Sequence, residues 1–439
     1  MSVIGTLAAF VAGAKASALP EAQLERLRLH VADTAIATLA GVSIPEGKSL
    51  RVLTDSSALP ARIAQLAAAT RLTEIDDIHL PSCVTPSAGV VPVALALAAD
   101  MQNFDTGEMA SAIWAGTEVA TRLGLAVNGP QILYRGIWPT YLVAPVAAAA
   151  TAARLMGLNE ARTGHALSLA VMLMAGGVGR IHGAPSGRWF LYANAVAGGV
   201  AAAQAARADF RGDLEVLDQA WLTDTHGIAL DQGRLTEKLG ASSVYTELSL
   251  KPFCSAKQAI AAVNAFQTLL GQGIRPDDIS KVVVRVPPSY AGMISTRAEA
   301  GARISTIVSV AHQLGLAALT PEALYDIDRS APKIDPAVAQ FAAKVEVTAD
   351  PNLLPFYPQH WPAEVEVTVG GEVRRQRVVE ATGDPEHPLD ANGVTDKGQQ
   401  VLDPLVGRAR AAEWLKLSTA ALDDKAACRA LAEGYAAGL

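Results

Sequence analysis

The chain has 439 residues, of which half are apolar, 18% are charged and only 5% are aromatic. The apolar share is mostly Ala, Leu and Val, a composition of close-packed helices, and it excludes a disordered chain that could not offset its backbone entropy by burial. With 36 basic against 43 acidic residues the net charge is −7, and no Lys/Arg run is present, which argues against nucleic acid as a partner. Three cysteines, Cys83, Cys254 and Cys428, stand far apart without disulfide or zinc-ligand spacing, as suits a reducing cytoplasm.

Residues 1–18 are apolar, but no basic residue precedes Lys15, so they read as a first helix rather than a secretory signal. From Glu21 to Leu39 the apolar positions Leu24, Leu27, Val31, Ile36 and Leu39 recur at helical spacing, and Gly41 is read as the stop. Helical patterns follow at 57–70, 87–100, 107–126, 139–156, 159–174 and 190–208, separated by Gly/Pro punctuation. The longest apolar stretch, 141–153, is interrupted by Pro145 and is too short to span a bilayer, so it reads as a buried core helix. No membrane contact is expected, and no strand-like alternation occurs before about residue 244.

The pattern then changes. Lys281 to Val286 reads as a strand ending at Pro287-Pro288, and 344–348, 363–369 and 372–379 alternate in the same way. Gly370-Gly371 joins the last two as a hairpin, and helices are predicted at 255–270, 305–318 and 335–343. Helical character returns at 397–412 and 418–436. The fold predicted is mostly α: a large all-helical domain over 1–244 and 386–439, with an inserted α+β lid domain at 245–385.

Three segments hold candidate chemistry. Glu74-Ile75-Asp76-Asp77-Ile78-His79 packs three carboxylates and a histidine into one turn. It reads either as a solvated loop whose acids cap the next helix or as a carboxylate cluster whose like charges push pKa values apart. Gly179 to Trp189 carries Arg180, His182 and Arg188 in a Gly/Pro-rich connection. It reads as a capped surface loop or as a cavity lining, with arginine forks for a carboxylate and a histidine for proton transfer. Leu250 to Gln258 carries Lys251, Cys254 and Lys257 at the domain junction, a favoured place for small-molecule pockets. Lys251 is a candidate base or anion anchor, or else an ordinary helix-start lysine, and Cys254 suits a small buried hydrophobe. Tyr134 to Thr140, with Arg135 and Trp138, is a polar lead into the Ala-rich helix that begins near Tyr141. No P-loop, strand-linked GxGxxG, GxSxG or HExxH is present. Phosphoryl transfer, nicotinamide chemistry and serine or zinc hydrolysis therefore lack a motif. A proton-transfer site without metal or cofactor remains.

Taken in order, these segments resemble the MmgE/PrpD family, which includes 2-methylcitrate dehydratase, cis-aconitate decarboxylase and iminodisuccinate epimerase. The resemblance runs over Asp33–Gly41, Asp76-Asp77 with Pro86-Ser87, "GIWPTYLVAPVAAAATAARLMG" at Gly136–Gly157, Arg188–Ala195, Lys251-Pro252-Phe253, and Gly383-Asp384-Pro385 with Pro388. It implies a homodimer, no cofactor, small di- or tricarboxylate substrates, and a site in a cleft beside the inserted lid. Lys251 stands where the family keeps its junction lysine, and Arg188 where many members have a lysine. Asp76 and Asp77 match the second and third acids of the family's DFDD turn, Glu74 replaces the first, and Arg71 takes the place of the histidine usual before it. Thr85 and Trp138 replace two further family histidines, and Ser309 falls near the tyrosine of the decarboxylase branch.

The leading expectation is a lyase or isomerase that removes a proton next to a carboxylate. Lys251, His182, His79 and Asp77 are its candidate catalytic groups. Arg188, Arg180, Arg135, Glu74, Asp76, Trp138, Tyr141, Lys257 and Cys254 are its candidate substrate contacts. The absent histidines also suit a non-catalytic dimeric paralogue. Trp138, Tyr141, Trp189 and Phe190 would suit an enzyme recruited for a more hydrophobic substrate.

Overall fold

The computed structural model describes residues 1–54, 58–174, 187–241, 243–329 and 333–437. They fall into two units. One is built from the described parts of Met1–Gly179, Ser186–Leu248 and Leu402–Leu439, and the other holds Ser249–Val401.

The first unit is helical: Val3–Gly13 (α1), Glu21–Ser43 (α2), Leu59–Leu72 (α3), Ser87–Asp100 (α4), Thr106–Ala126 (α5), Pro139–Leu155 (α6), Glu160–Val171 (α7) and Gly187–Arg207 (α8). Side-chain caps start several of them. Ser2 accepts from the Gly5 N–H, Asp105 from Glu108 and Asn159 from Arg162, each satisfying an otherwise orphaned first-turn donor. Every residue of α6 is buried, as its near-unbroken Ala/Leu/Val run requires. The short helices Trp221–His226 and Gln232–Thr236 carry no periodicity long enough to be read from sequence.

Gly41 is not a stop. Helix α2 continues to Ser43, and a Cβ at Gly41 would lie 1.9 Å from the Ala69 carbonyl oxygen of α3. The glycine is there because two helix backbones touch. Gly199 serves α8 in the same way, where a Cβ would meet the Pro145 carbonyl of α6 at 2.1 Å. These contacts join α2 to α3 and α6 to α8, and α8 packs on α3 as well, so the three helices that carry the candidate site, α3, α6 and α8, lie together. The helices Arg408–Thr419 and Lys425–Ala437 complete this unit, packing on α2 and α4, with the Tyr435 hydroxyl 3.4 Å from the Ala35 carbonyl.

The second unit is α+β. Strands Ile279–Val286 (β1), Val345–Ala349 (β2), Ala363–Val369 (β3) and Glu372–Val378 (β4) form one sheet in the order β2-β1-β3-β4. β1 and β2 run parallel, and the other pairs are antiparallel, with Val284 opposite Val365 and Val365 opposite Gln376. Val282, Val284, Val286, Val365 and Val367 face the core, and the helix Lys257–Gly271 (α9) packs on β3 and β4. The solvent face is a charge ladder in which Arg285 and Arg375 bond Glu366, and Arg377 bonds Glu364.

Two sequence expectations change here. The helix predicted at 305–318 breaks into Arg303–Val308 and Val310–Leu319, because Ser309 leaves the helix and caps the second piece through the His312 N–H. The unit extends to Val401, so the helix Ala391–Val406 begins inside it, past residue 385. In the first unit, the described residues before 244 contain one extended piece, Ile78–His79, of two residues. Among the described residues no single helix is long and apolar enough to cross a membrane.

Candidate functional site

Helix α3 ends at Leu72, and two residues later Glu74 takes φ +56°, the left-handed region, at a cost of about 1 kcal/mol for a residue with a Cβ. What holds it there is Arg71 in the helix's last turn. One guanidinium nitrogen lies 3.0 Å from Glu74 Oε2 and 3.0 Å from Asp76 Oδ1. All three side chains are buried, so the acids are an internal clamp and not a solvated loop. Burial alone would lower the Arg71 pKa. The Asp76 and Glu74 carboxylates outweigh it and raise the pKa, so Arg71 stays charged.

Asp77 turns the other way. It accepts from the Ser87 N–H at 3.2 Å, the Ser87 hydroxyl at 2.5 Å and His30 Nδ1 at 2.9 Å. His30 is fully buried, and burial pushes its pKa down against the pull of Asp77. The imidazole is therefore neutral, donating from Nδ1 to Asp77 and offering Nε2 to Arg26 at 3.4 Å.

Next to the clamp stands an aromatic wall. The rings of Trp138 and Tyr141 are 5.3 Å apart and those of Tyr141 and Tyr192 are 5.0 Å apart. The Arg188 guanidinium stacks 4.9 Å from the Trp138 ring and 5.5 Å from the Trp189 ring, and the Trp189 indole N–H donates to Glu46 at 2.8 Å. The Tyr141 hydroxyl and the Trp138 indole nitrogen are buried with no hydrogen-bond partner among the described residues. Leaving such a group unpaired costs about 1–3 kcal/mol, which a ligand oxygen would recover. Burial pushes the Tyr141 pKa up, against the Arg71 and Arg188 guanidinium groups, so the phenol is a neutral donor. A hydroxyl, an indole N–H and a stacked guanidinium together suit an acceptor such as a carboxylate or enolate oxygen. This cluster contains no group of three His, Cys or acidic side chains within metal-binding reach of one another among the described residues.

Comparison with known families identifies the chain. A profile of the MmgE/PrpD N-terminal domain matches residues 47–226, and one of the MmgE/PrpD C-terminal domain matches residues 253–421. The chain belongs to the MmgE/PrpD family. No curated protein matches it significantly. The N-terminal match covers the acid turn, Trp138, Tyr141, Arg188 and Tyr192, while His30 and Glu46 precede it.

Of the residues singled out in the sequence, the structure brings together Glu74, Asp76, Trp138, Tyr141 and Arg188. His182 and Arg180 lie outside the described residues. Asp77 is beside the cluster but is held by His30 and Ser87. His79 is fully buried, with Nδ1 at 2.9 Å from Ser82 Oγ and Nε2 at 3.3 Å from Glu247, so both ring nitrogens are engaged elsewhere.

The remaining candidates have structural employment. Arg135 is exposed and donates to the Gly227 and His226 carbonyls, capping the C-terminal end of Trp221–His226 rather than facing the cluster. In the second unit Lys257 is buried and paired with Asp384 at 2.5 Å, its charge matched internally. Cys254 is fully buried, and its carbonyl accepts from Arg329 at 2.7 Å and from Gln313 at 3.3 Å, a structural knot. Lys251 is buried at 2% exposure in the same unit.

Arg71, His30, Tyr192 and Glu46 are members or supports of the cluster that sequence reasoning did not select. Arg71 had a local signal, a cation in the last helical turn before three acids. His30 had none, because its partner lies 47 residues away.

Proposed function

We propose that this MmgE/PrpD protein is a cofactor-independent lyase or isomerase acting on a small carboxylate. It removes a proton from the carbon next to that carboxylate, with dehydration, decarboxylation or re-protonation as the outcome. The observation that carries this is the pair of unpartnered donors, the Tyr141 hydroxyl and the Trp138 indole N–H, beside Arg188. Proton loss next to a carboxylate concentrates negative charge on its oxygens, and fixed neutral donors with a nearby guanidinium stabilise that charge more than they stabilise the substrate. Arg71 holds Glu74 and Asp76 in place, and the His30–Asp77–Ser87 bonds anchor the turn behind them. The resemblance, not this geometry, nominates Lys251 as the proton-transferring group and a homodimer as the working form.

A thermal-shift screen of di- and tricarboxylates against uncharged cyclic compounds tests the substrate class, since a ligand stabilises the state it binds. Stabilisation by the carboxylates supports the proposal; stabilisation by the uncharged set alone overturns it. Reaction in deuterated water then separates outcomes. Solvent exchange without loss of water or carbon dioxide marks an isomerase. The aromatic wall of Trp138, Tyr141 and Tyr192 favours a second reading, a carboxylate with a sizeable apolar body, which the same screen reads if alkyl-substituted acids outrank compact ones.

A further inference from the structure

The segments flanking the β3–β4 hairpin bring imidazoles and carboxylates together. One ligand atom each from His360, Glu380 and Glu386 lie within 4.8 Å of one another. His360 Nδ1 is 3.9 Å from Glu386 Oε1, and His387 Nε2 is 3.7 Å from Glu380 Oε2. We propose that His360, Glu380 and Glu386, with His387 beside them, form a binding site for a divalent transition-metal cation of the zinc type.

Three physical arguments support the site. The first is charge. Glu380 and Glu386 hold like charges close together, and among the described residues no lysine or arginine pairs with either of them. A cation between them converts that repulsion into attraction.

The second is that the fold positions the donors without any metal. The His360 N–H donates to the Phe356 carbonyl at 2.8 Å, just before the buried Trp361. Glu380 follows directly on β4. Glu386 and His387 sit on a turn closed by Gly383 N–H to His387 O at 2.8 Å and His387 N–H to Asp384 O at 2.9 Å. The buried Asp384 carboxylate pins that turn from below through the Ala381 N–H and Lys257. The backbone positions of the donors are therefore set in advance, and binding an ion has only their exposed side chains left to order.

The third is the donor set. Imidazole nitrogen with carboxylate oxygen and no thiolate suits Zn2+ or Co2+, whereas Mg2+ and Ca2+ prefer all-oxygen shells. Tetrahedral bonds of about 2.0–2.1 Å need the donor atoms to draw in to roughly 3.3 Å of each other. The side chains are 26% to 62% exposed and have the rotamer freedom to do so.

The test uses the full chain, free of any affinity tag and stripped with a chelator. Zn2+ is titrated by calorimetry and thermal shift, and Co2+ by its visible absorption. We expect one saturable equivalent of Zn2+, a raised Tm and a Co2+ spectrum of low coordination number. His360→Ala combined with Glu386→Gln should weaken Zn2+ binding roughly tenfold or more while leaving the metal-free Tm and circular dichroism unchanged. His226→Ala, a histidine of the other unit, should leave binding intact. Absence of a saturable equivalent, or binding undiminished in the double variant, overturns the proposal.

Discussion

Arg188 lies face-on to Trp138, its guanidinium carbon 4.9 Å from the indole centroid. A guanidinium is a planar fork of N–H donors that suits a carboxylate edge on. Arg188→Ala is expected to weaken binding of the best carboxylate at least tenfold, about 1.5–3 kcal/mol, and to lower kcat/KM by as much or more. Arg188→Lys should recover only part, because an ammonium keeps the charge and loses the fork. Activity within about threefold of wild type in Arg188→Ala would remove Arg188 from the site.

Tyr141→Phe separates a ligand-binding hydroxyl from a structural one. The hydroxyl has no partner among the described residues, so its removal should leave stability unchanged or raise it by up to about 1 kcal/mol. Affinity for the carboxylate should fall by about tenfold. Chemical denaturation read alongside ligand titration checks both; a large loss of stability would assign the hydroxyl to the core.

Asp77→Ala strips the acceptor from His30 Nδ1 and the Ser87 hydroxyl, both fully buried. With the Ser87 N–H these make three orphaned donors, which should cost at least about 3 kcal/mol. Asp77→Asn retains one acceptor oxygen and should cost about half of that. Urea midpoints of the two variants give the comparison.

His312 gives a pH signature. It is buried, its Nδ1 has no partner among the described residues, and burial, then the Arg329 cation, push its pKa down to about 4 from the ordinary 6.5. The unfolded chain therefore takes up this proton first as pH falls. The stability it protects is complete above pH 6.5 and is lost towards pH 4, up to about 3 kcal/mol. The cavities it lines, about 330 and 290 Å³, also carry Arg297, Lys333, Glu299 and Asp326. In His312→Gln this part of the acid destabilisation should be absent. A wild-type-minus-variant difference that stays flat from pH 7 to 4.5 would refute the assignment.

Gly41→Ala adds one methyl carbon where 1.9 Å separates its site from the Ala69 carbonyl. Because the obstacle is backbone, α2 and α3 must move apart, and about 2–4 kcal/mol should be lost. A Tm unchanged in this variant would mean the helices are less tightly engaged than described.

The helices were legible because apolar residues recur at helical spacing, as in α2, or run almost unbroken, as in α6, and the strands because short valine-rich runs such as 281–286 end at prolines or glycines. Gly41 misled because a missing Cβ serves a helix stop and a tight helix crossing equally well, and only tertiary contact distinguishes them. Half of the cluster was legible for a similar local reason: acids in one turn, an arginine among tryptophans. Its supports were not. His30 meets Asp77 across 47 positions, and Lys257 meets Asp384 across 127, distances at which one sequence carries no pairing signal. Arg135 looked like a ligand because nothing local announces the short helix whose end it caps.

The Leu250 N–H bonds the Gly383 carbonyl at 2.9 Å, and the buried Lys257–Asp384 pair doubles that clasp one turn further on. The second unit thus returns to its own doorway after completing its sheet. A segment fastened to itself near its start and again after its last strand constrains the chain that carries it little, because loop-closure entropy grows only slowly with the length between the fastened points. Excised on its own, such a segment keeps the bonds that close it, and a fragment starting near residue 249 should run to Val406 so that the helix Ala391–Val406 stays whole.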